Sequence, residues 1–221
     1  MTVSRSFIGE WEFLTNSGEY EKAIELVDIA LKRNPDNAEL LTLKGKTLSM
    51  FAVGTVGGGI RTFNSDDPND TSNHFILLIE DALKCFDKSL KLNPEDDQTY
   101  ENKALSLARM GAYDDAIECA LIGFNINNEN ITIIYNLSLW YKIIENFSQS
   151  LKFSDIIISK KNSLPKQIVS AAYLCKASTQ SNQKNPEWHD TLDFAIEYSP
   201  DPQMKQNLKK LHQSTKPFDN K

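Results

Sequence analysis

Histidines, cysteines and short acidic runs are the residues of this 221-residue chain with the types to do chemistry, and their spacing argues against it. His74, His189 and His212 are scattered, and none shares helical spacing with a carboxylate or another histidine in a way that builds a metal or acid–base site. Asp66, Asp67, Asn69 and Asp70 carry oxygen ligands but lack the alternation and the distal glutamate of a calcium loop. Gly57, Gly58 and Gly59 are not followed by the Lys-Ser/Thr pair of a phosphate-cradling loop. Asp114–Asp115 and the acids at 95–97 fall at helix starts, where negative charge complements the helix dipole. Cys85, Cys119 and Cys175 are an odd count without metal-ligand spacing and read as reduced thiols. No catalytic residue, metal ligand or cofactor motif is expected, so the chain does not read as an enzyme.

Composition narrows the class further. The net charge of −6 opposes a broad nucleic-acid surface, which needs positive charge to meet phosphates. That charge is uneven: residues 1–130 hold 12 basic against 22 acidic side chains, and residues 131–221 hold 12 against 8. The start of the sequence lacks the apolar core of an export signal. The most apolar stretch, 131–144, is broken by Asn136, Ser138 and Lys142 and is too short to span a bilayer. The expectation is a cytoplasmic protein that touches neither nucleic acid nor membrane.

The elements that would position any site follow from a 34-residue period. Ala82, Ala116 and Ser150 stand one period apart, as do Tyr113 and Phe147, Leu107 and Tyr141, and Leu90, Phe124 and Ile158. Pro94, Asn128 and Asn162 end successive units, and Pro35 precedes Pro94 by one period plus 25 residues. Such a period means one supersecondary unit stacked on copies of itself. Within the unit at 97–130, Tyr100, Ala104, Leu107 and Ala108 form one helical stripe, Gly111 closes that helix, and Tyr113, Ala116, Ile117, Ala120 and Phe124 form the next. Small residues midway along both helices (Ala104 and Ala116) allow close approach.

This pattern resembles the tetratricopeptide repeat, whose units place small, aromatic and proline residues at these intervals. The matches are Leu41, Gly45, Leu48, Ala82, Phe86, Leu90 and Pro94 in the second unit, and Leu137, Ser138, Tyr141, Phe147 and Leu151 in the fourth. The first unit keeps Gly18, Tyr20, Ala23, Ile24, Ala30, Leu31 and Pro35. Trp11 falls where a small residue is expected, so either Gly9 fills that slot beyond a longer turn, or the helix packs irregularly as a cap. A fifth unit has Ile168, Ala172 and Cys175 in its first helix. Its second starts late, after the polar run 178–184, with Asn185 as cap and Trp188, Leu192 and Ala195 as the stripe. The expected fold is therefore an all-α, right-handed α-α superhelix forming a single domain over 1–221. Its repeats fall at about 4–37, 38–96 (with an insertion at 49–74), 97–130, 131–164 and 165–200. A capping helix at 202–212 presents Met204, Leu208 and Leu211 on one face.

The resemblance implies a function as well as a fold. First helices of such repeats line a concave groove that takes a peptide, which here nominates Thr42, Lys46, Glu101, Asn102, Leu105, Arg109, Tyr135, Asn136, Leu139 and Lys142. Asn102 and Asn136 recur two residues before the small slot, where a family amide grips a peptide backbone by donating and accepting at once. The carboxylate clamp used by some relatives is not rebuilt, because Ile8 and Glu12 occupy its first-repeat places. The insertion is rich in glycine and polar residues and reads either as a flexible tether or as a segment that orders on a partner through Ile60, Arg61 and Phe63. The leading expectation is an interaction scaffold for a protein or peptide. Self-assembly into a homo-oligomer and, behind it, chemistry in the insertion are the alternatives.

Overall fold

The structure is a computed structural model and describes residues 3–55 and 72–215. The described residues form eleven α-helices and no strand. They divide into two compact units, one up to Asn127 and one from Asn128. The first holds α1 (Arg5–Asn16), α2 (Tyr20–Arg33), α3 (Ala38–Thr55), α4 (Ser72–Leu92), α5 (Asp97–Arg109) and α6 (Tyr113–Ile126). In it each helix packs on the next, and α3 also reaches α5. The second holds α7 (Ile131–Ile143), α8 (Phe147–Ser159), α9 (Lys166–Asn182), α10 (Trp188–Tyr198) and α11 (Pro202–Thr215). Here too neighbours pack in chain order, and α7 reaches α9.

Helix ends follow the repeat. Asn37, Asp96 and Asn130 stand at equivalent places before α3, α5 and α7, and each side chain accepts a hydrogen bond from an N–H of the first turn, at 3.1, 3.2 and 3.2 Å. In the four hairpins whose turns are among the described residues, the turn is a left-handed cap. Gly18 (φ +74°) and Gly111 (φ +80°) adopt it at no steric cost, while Glu145 (φ +60°) and Lys184 (φ +56°) adopt it with side chains. In every case the next N–H reaches back over the last turn: Glu19 to the Leu14 carbonyl at 2.9 Å, Ala112 to Leu107 at 3.1 Å, Asn146 to Tyr141 at 2.8 Å and Asn185 to Gln180 at 2.9 Å.

The core sits where the expected small residues meet. Ala23, Ala82, Ala104, Ala116, Ser138, Ser150, Ala172 and Ala195 are all fully buried. Gly45 approaches α4 so closely that a Cβ there would lie 2.6 Å from the fully buried ring of Phe86. In α1 the small slot is absent. Trp11 is itself buried against Ala23, Val27 and Leu40, and its indole N–H donates to the Thr47 hydroxyl at 2.8 Å. Gly9 is exposed with nothing near it, and α1 ends without a longer turn, so the alternative that placed Gly9 in the slot is wrong.

Three boundaries also differ from expectation. Residues 49–55 continue α3 and Ser72 begins α4, so the edges of the insertion are helical; Tyr20 stacks on Phe51 at 5.7 Å and Phe51 meets His74 edge-on at 5.8 Å. Ile60, Arg61 and Phe63 lie outside the described residues. The polar run 178–184 mostly extends α9, because Thr179 is buried and bonded to Ser150 at 3.0 Å. In α11 the expected face is turned outward: Met204 and Leu211 are exposed, while Leu208 and His212 (one turn apart) face inward. The anchor that rotates the helix is polar, His212 Nδ1 lying 2.9 Å from the Asp193 carboxylate of α10.

Both Gly45→Ala and Ala116→Leu should destabilise the chain by about 1–3 kcal/mol through overpacking at a close helix contact. Urea midpoints unchanged from the parent would remove these positions from the contact. Glu145→Gly should act in the opposite sense. It relieves a left-handed residue that costs roughly 1–2 kcal/mol and adds about 0.5–1 kcal/mol of unfolded-state entropy, a net gain of about 0.5–1 kcal/mol. A lowered midpoint for Glu145→Gly would contradict the left-handed turn.

Candidate functional site

The nominated residues fall on the first helices of their repeats, α3, α5 and α7, and the structure gives them different roles. In the first unit Thr42 is committed to packing: its hydroxyl lies 2.8 Å from Ser89 and 2.6 Å from Thr99, joining α3 to α4 and α5. Lys46 is exposed, with its ammonium 5.3 Å from the Trp11 ring centre, a cation–π contact that steers its stem along α1. Glu101 and Leu105 are half-buried on α5. Asn102 donates to the Gln98 carbonyl at 2.8 Å, which fixes the amide while its oxygen keeps acceptor capacity. The backbone carbonyl of Asn102 also accepts from Ser106 at 2.9 Å.

Arg109 differs most from a groove residue. It is half-buried and its guanidinium reaches α3, donating to the Ser49 hydroxyl at 2.5 Å and to the Ser49 carbonyl at 3.3 Å. Burial lowers its pKa from the ordinary guanidinium value. Ser49 in turn lies 2.9 Å from the Ser106 hydroxyl, so Arg109 closes a polar ladder between α3 and α5. The sequence offered no sign of this, because Ser49 precedes Arg109 by 60 residues across the insertion.

In the second unit Tyr135, Asn136, Leu139 and Lys142 share α7 and are all half-buried. Among the described residues Asn136 has no hydrogen-bond partner, leaving a donor and an acceptor available beside Tyr135 and Leu139. Burial first, then the Cys175 thiol, raises the Tyr135 phenol from its usual value, so it presents a neutral hydroxyl at physiological pH.

The remaining groups with chemical potential are quiet. Burial pushes the Cys119 thiol up to about 11, with its S–H directed to the Tyr100 carbonyl at 3.5 Å, and also raises Cys85; both stay protonated at neutral pH. A cleft of about 590 Å³ between α2, α3 and α4 is lined by Glu21, Glu25, Lys44 and Lys88, and contains none of the nominated residues. Its charges are partly paired already, Lys44 with Asp28 at 2.6 Å and Lys88 with Asp36 at 3.2 Å. The Lys44–Asp28 pair recurs one unit on as Lys103–Asp87 at 2.7 Å, and Lys176–Asp155 joins α9 to α8 at 2.6 Å in the second unit. Sequence reasoning missed one constellation. It took His189 and His212 as scattered, yet α10 and α11 bring their rings to 5.4 Å, with the Asp193 carboxylate on Nδ1 of His212.

Comparison with known proteins agrees with this architecture. The Tetratricopeptide repeat profile matches residues 79–121, which span most of α4, all of α5 and much of α6. An uncharacterised protein of Methanocaldococcus jannaschii, MJ0572, is 36% identical over 58 residues, covering 26% of this chain and 67% of that protein. Among solved structures, MamA superposes with a TM-score of 0.64 at 18% identity over 87% of this chain and 89% of its own. YrrB, described as a TPR protein with an unusual peptide-binding site, does so with 0.62 at 15% identity over 94% and 92%. The chain belongs to the tetratricopeptide-repeat family and has its all-helical solenoid fold. Among the described residues no helix is long and apolar enough to cross a membrane.

Arg109→Ala should cost stability as well as any ligand contact. Removing a charged donor from buried acceptors is worth about 1.5–3 kcal/mol, reduced here because the guanidinium no longer has to be desolvated. Chemical denaturation indistinguishable from the parent would show that the Arg109–Ser49 contact does not form in solution.

Proposed function

We propose that this chain is a cytosolic, non-catalytic interaction module that holds a peptide segment or another subunit against the first helices of its repeats. The observation that carries this reading is Asn136: a half-buried amide without a partner among the described residues, beside a phenol, a leucine and a lysine on one helix. Such a surface gives backbone recognition from the amide, apolar area from Tyr135 and Leu139, and charge from Lys142. Asn102 repeats the amide one period earlier, held by Gln98 with its oxygen able to accept. YrrB, which has this fold, is described as having a peptide-binding site, and that supports the class of ligand. Arg109 enters as a residue that orders α3 against α5, so its charge acts on a ligand only through that scaffold.

The test is a titration of the co-purifying partner, first from native extract and then as a synthetic segment, against Asn102→Ala, Asn136→Ala and Lys142→Ala. Each asparagine change should weaken binding several-fold to tenfold, corresponding to about 0.5–1.5 kcal/mol per neutral hydrogen bond, with melting temperature unchanged. Lys142→Ala should lose more at low salt than at high salt. If all three bind like the parent while deletion of residues 54–70 abolishes binding, the insertion is the site and the helical faces are not.

A further inference from the structure

The cleft between α2, α3 and α4 has a composition that the repeat does not require. Its volume is about 590 Å³, and Ile24 and Leu31 of α2 with the buried Leu41 of α3 make an apolar lining. Ile29 adds to that lining with 46% of its surface exposed. One period plus the 25-residue insertion further on, Lys84 and Lys88 of α4 hold the places of Glu25 and Ile29, so the acid and the apolar tip belong to the first groove alone of this pair. Charge is also divided along the cleft. Lys44 and Lys88 are neutralised in place by Asp28 at 2.6 Å and Asp36 at 3.2 Å. The carboxylates of Glu21 and Glu25, one turn apart on α2, have no partner among the described residues. Like charges at this spacing repel each other and weaken the helix that carries them. Lys32, further along α2, is a cation without a partner among the described residues. The cleft thus runs from two uncompensated negative charges, through an apolar and charge-balanced middle, to one positive charge.

We propose that this cleft is a second docking surface, for a protein segment that is cationic at one end and apolar in the middle. Lysines or arginines of the segment lie against Glu21 and Glu25, and its apolar side chains cover Ile24, Ile29 and Leu41. An acidic side chain beyond them meets Lys32 and sets the direction in which the segment lies. Each part of the segment answers an uncompensated feature of the cleft. The charges select and orient the partner, while the apolar contact supplies affinity that salt does not screen. The surface shares no residue with the asparagine-bearing faces of α5 and α7, so it stands or falls separately from the binding reading above.

The probe is a blocked, fluorescent synthetic peptide in which lysines lead, leucines follow and a glutamate closes, titrated into the full-length chain by anisotropy. Saturable one-to-one binding is expected, and much weaker binding of a companion peptide with glutamine in place of lysine. The double variant Glu21→Gln with Glu25→Gln should weaken binding about two- to fivefold per charge at low salt and little at high salt. Glu10→Gln with Glu12→Gln makes the same change of net charge on exposed positions of α1 and should bind like the parent. Ile29→Ser, at an exposed position, should weaken binding about three- to tenfold at both salt concentrations. Lys142→Ala should leave it unchanged. Absence of saturable binding, parent-like binding by Ile29→Ser or by the Glu21 and Glu25 double variant, or loss with Lys142→Ala would overturn the assignment. Equal losses in the two double variants would do the same, since they report general attraction to an acidic chain. So would a dimer of the parent in sedimentation that Ile29→Ser abolishes, because the occupant would then be a second copy.

Discussion

Close approach of helices at positions that carry almost no side chain is the constraint on which the rest depends. A hairpin can close at Gly45 only because no Cβ stands between α3 and the Phe86 ring, and at Ala104 and Ala116 only because both are short. Once backbones come this near, larger side chains are forced to the flanks of each contact. There they form the local clusters around Phe75, Ile79 and Phe86, around Trp11 and Val27, and around Val169, Leu192 and Ile196. The 34-residue period follows: each hairpin presents an apolar face it cannot bury alone, so a copy must cover it.

Such close contact buries backbone and short polar side chains together, and the chain satisfies them across helices. In the fourth repeat both small slots are serines, and Ser150 donates to the Ser138 carbonyl at 2.8 Å. Ser170 does the same to the Ala195 carbonyl at 2.8 Å, and Trp11 uses Thr47. A hydroxyl adds little volume over alanine yet supplies a donor, so the contact stays close and gains direction. The Lys–Asp pairs at the partly exposed edges contribute less, because water screens them, but their recurrence reinforces register between neighbouring hairpins.

The surface proposed to bind a partner is what this packing leaves over. Residues of α3, α5 and α7 that neither fill the small slots nor line the clusters remain half-exposed, and they differ in how far the scaffold has already claimed them. Thr42 and Arg109 are spent on intramolecular bonds, Asn102 is fixed by its own helix, and Asn136 keeps its amide. A groove inferred from position alone treats these as equivalent; their hydrogen bonds separate side chains spent on the scaffold from those with hydrogen-bonding capacity left over.

The sequence alone determined the repeat, the order of helices and the residues at the closest contacts. Those properties are written in short-range spacing: small residues one period apart, a glycine closing a first helix, a proline or asparagine ending a unit. It was silent where a residue's partner is remote. Glu145 and Lys184 take the left-handed turn without glycine because the hairpin contacts impose it. Trp11 replaces a small slot because Thr47 receives its indole N–H, and Arg109 turns inward because Ser49 waits 60 residues away. The face of α11 was decided by tertiary structure against the apolar pattern. Met204, Leu208 and Leu211 formed the legible stripe, but Asp193 on a neighbouring helix drew His212 in and rotated the helix about its axis. A polar pair across two helices has no sequence period, so its pull appears only when the helices are packed.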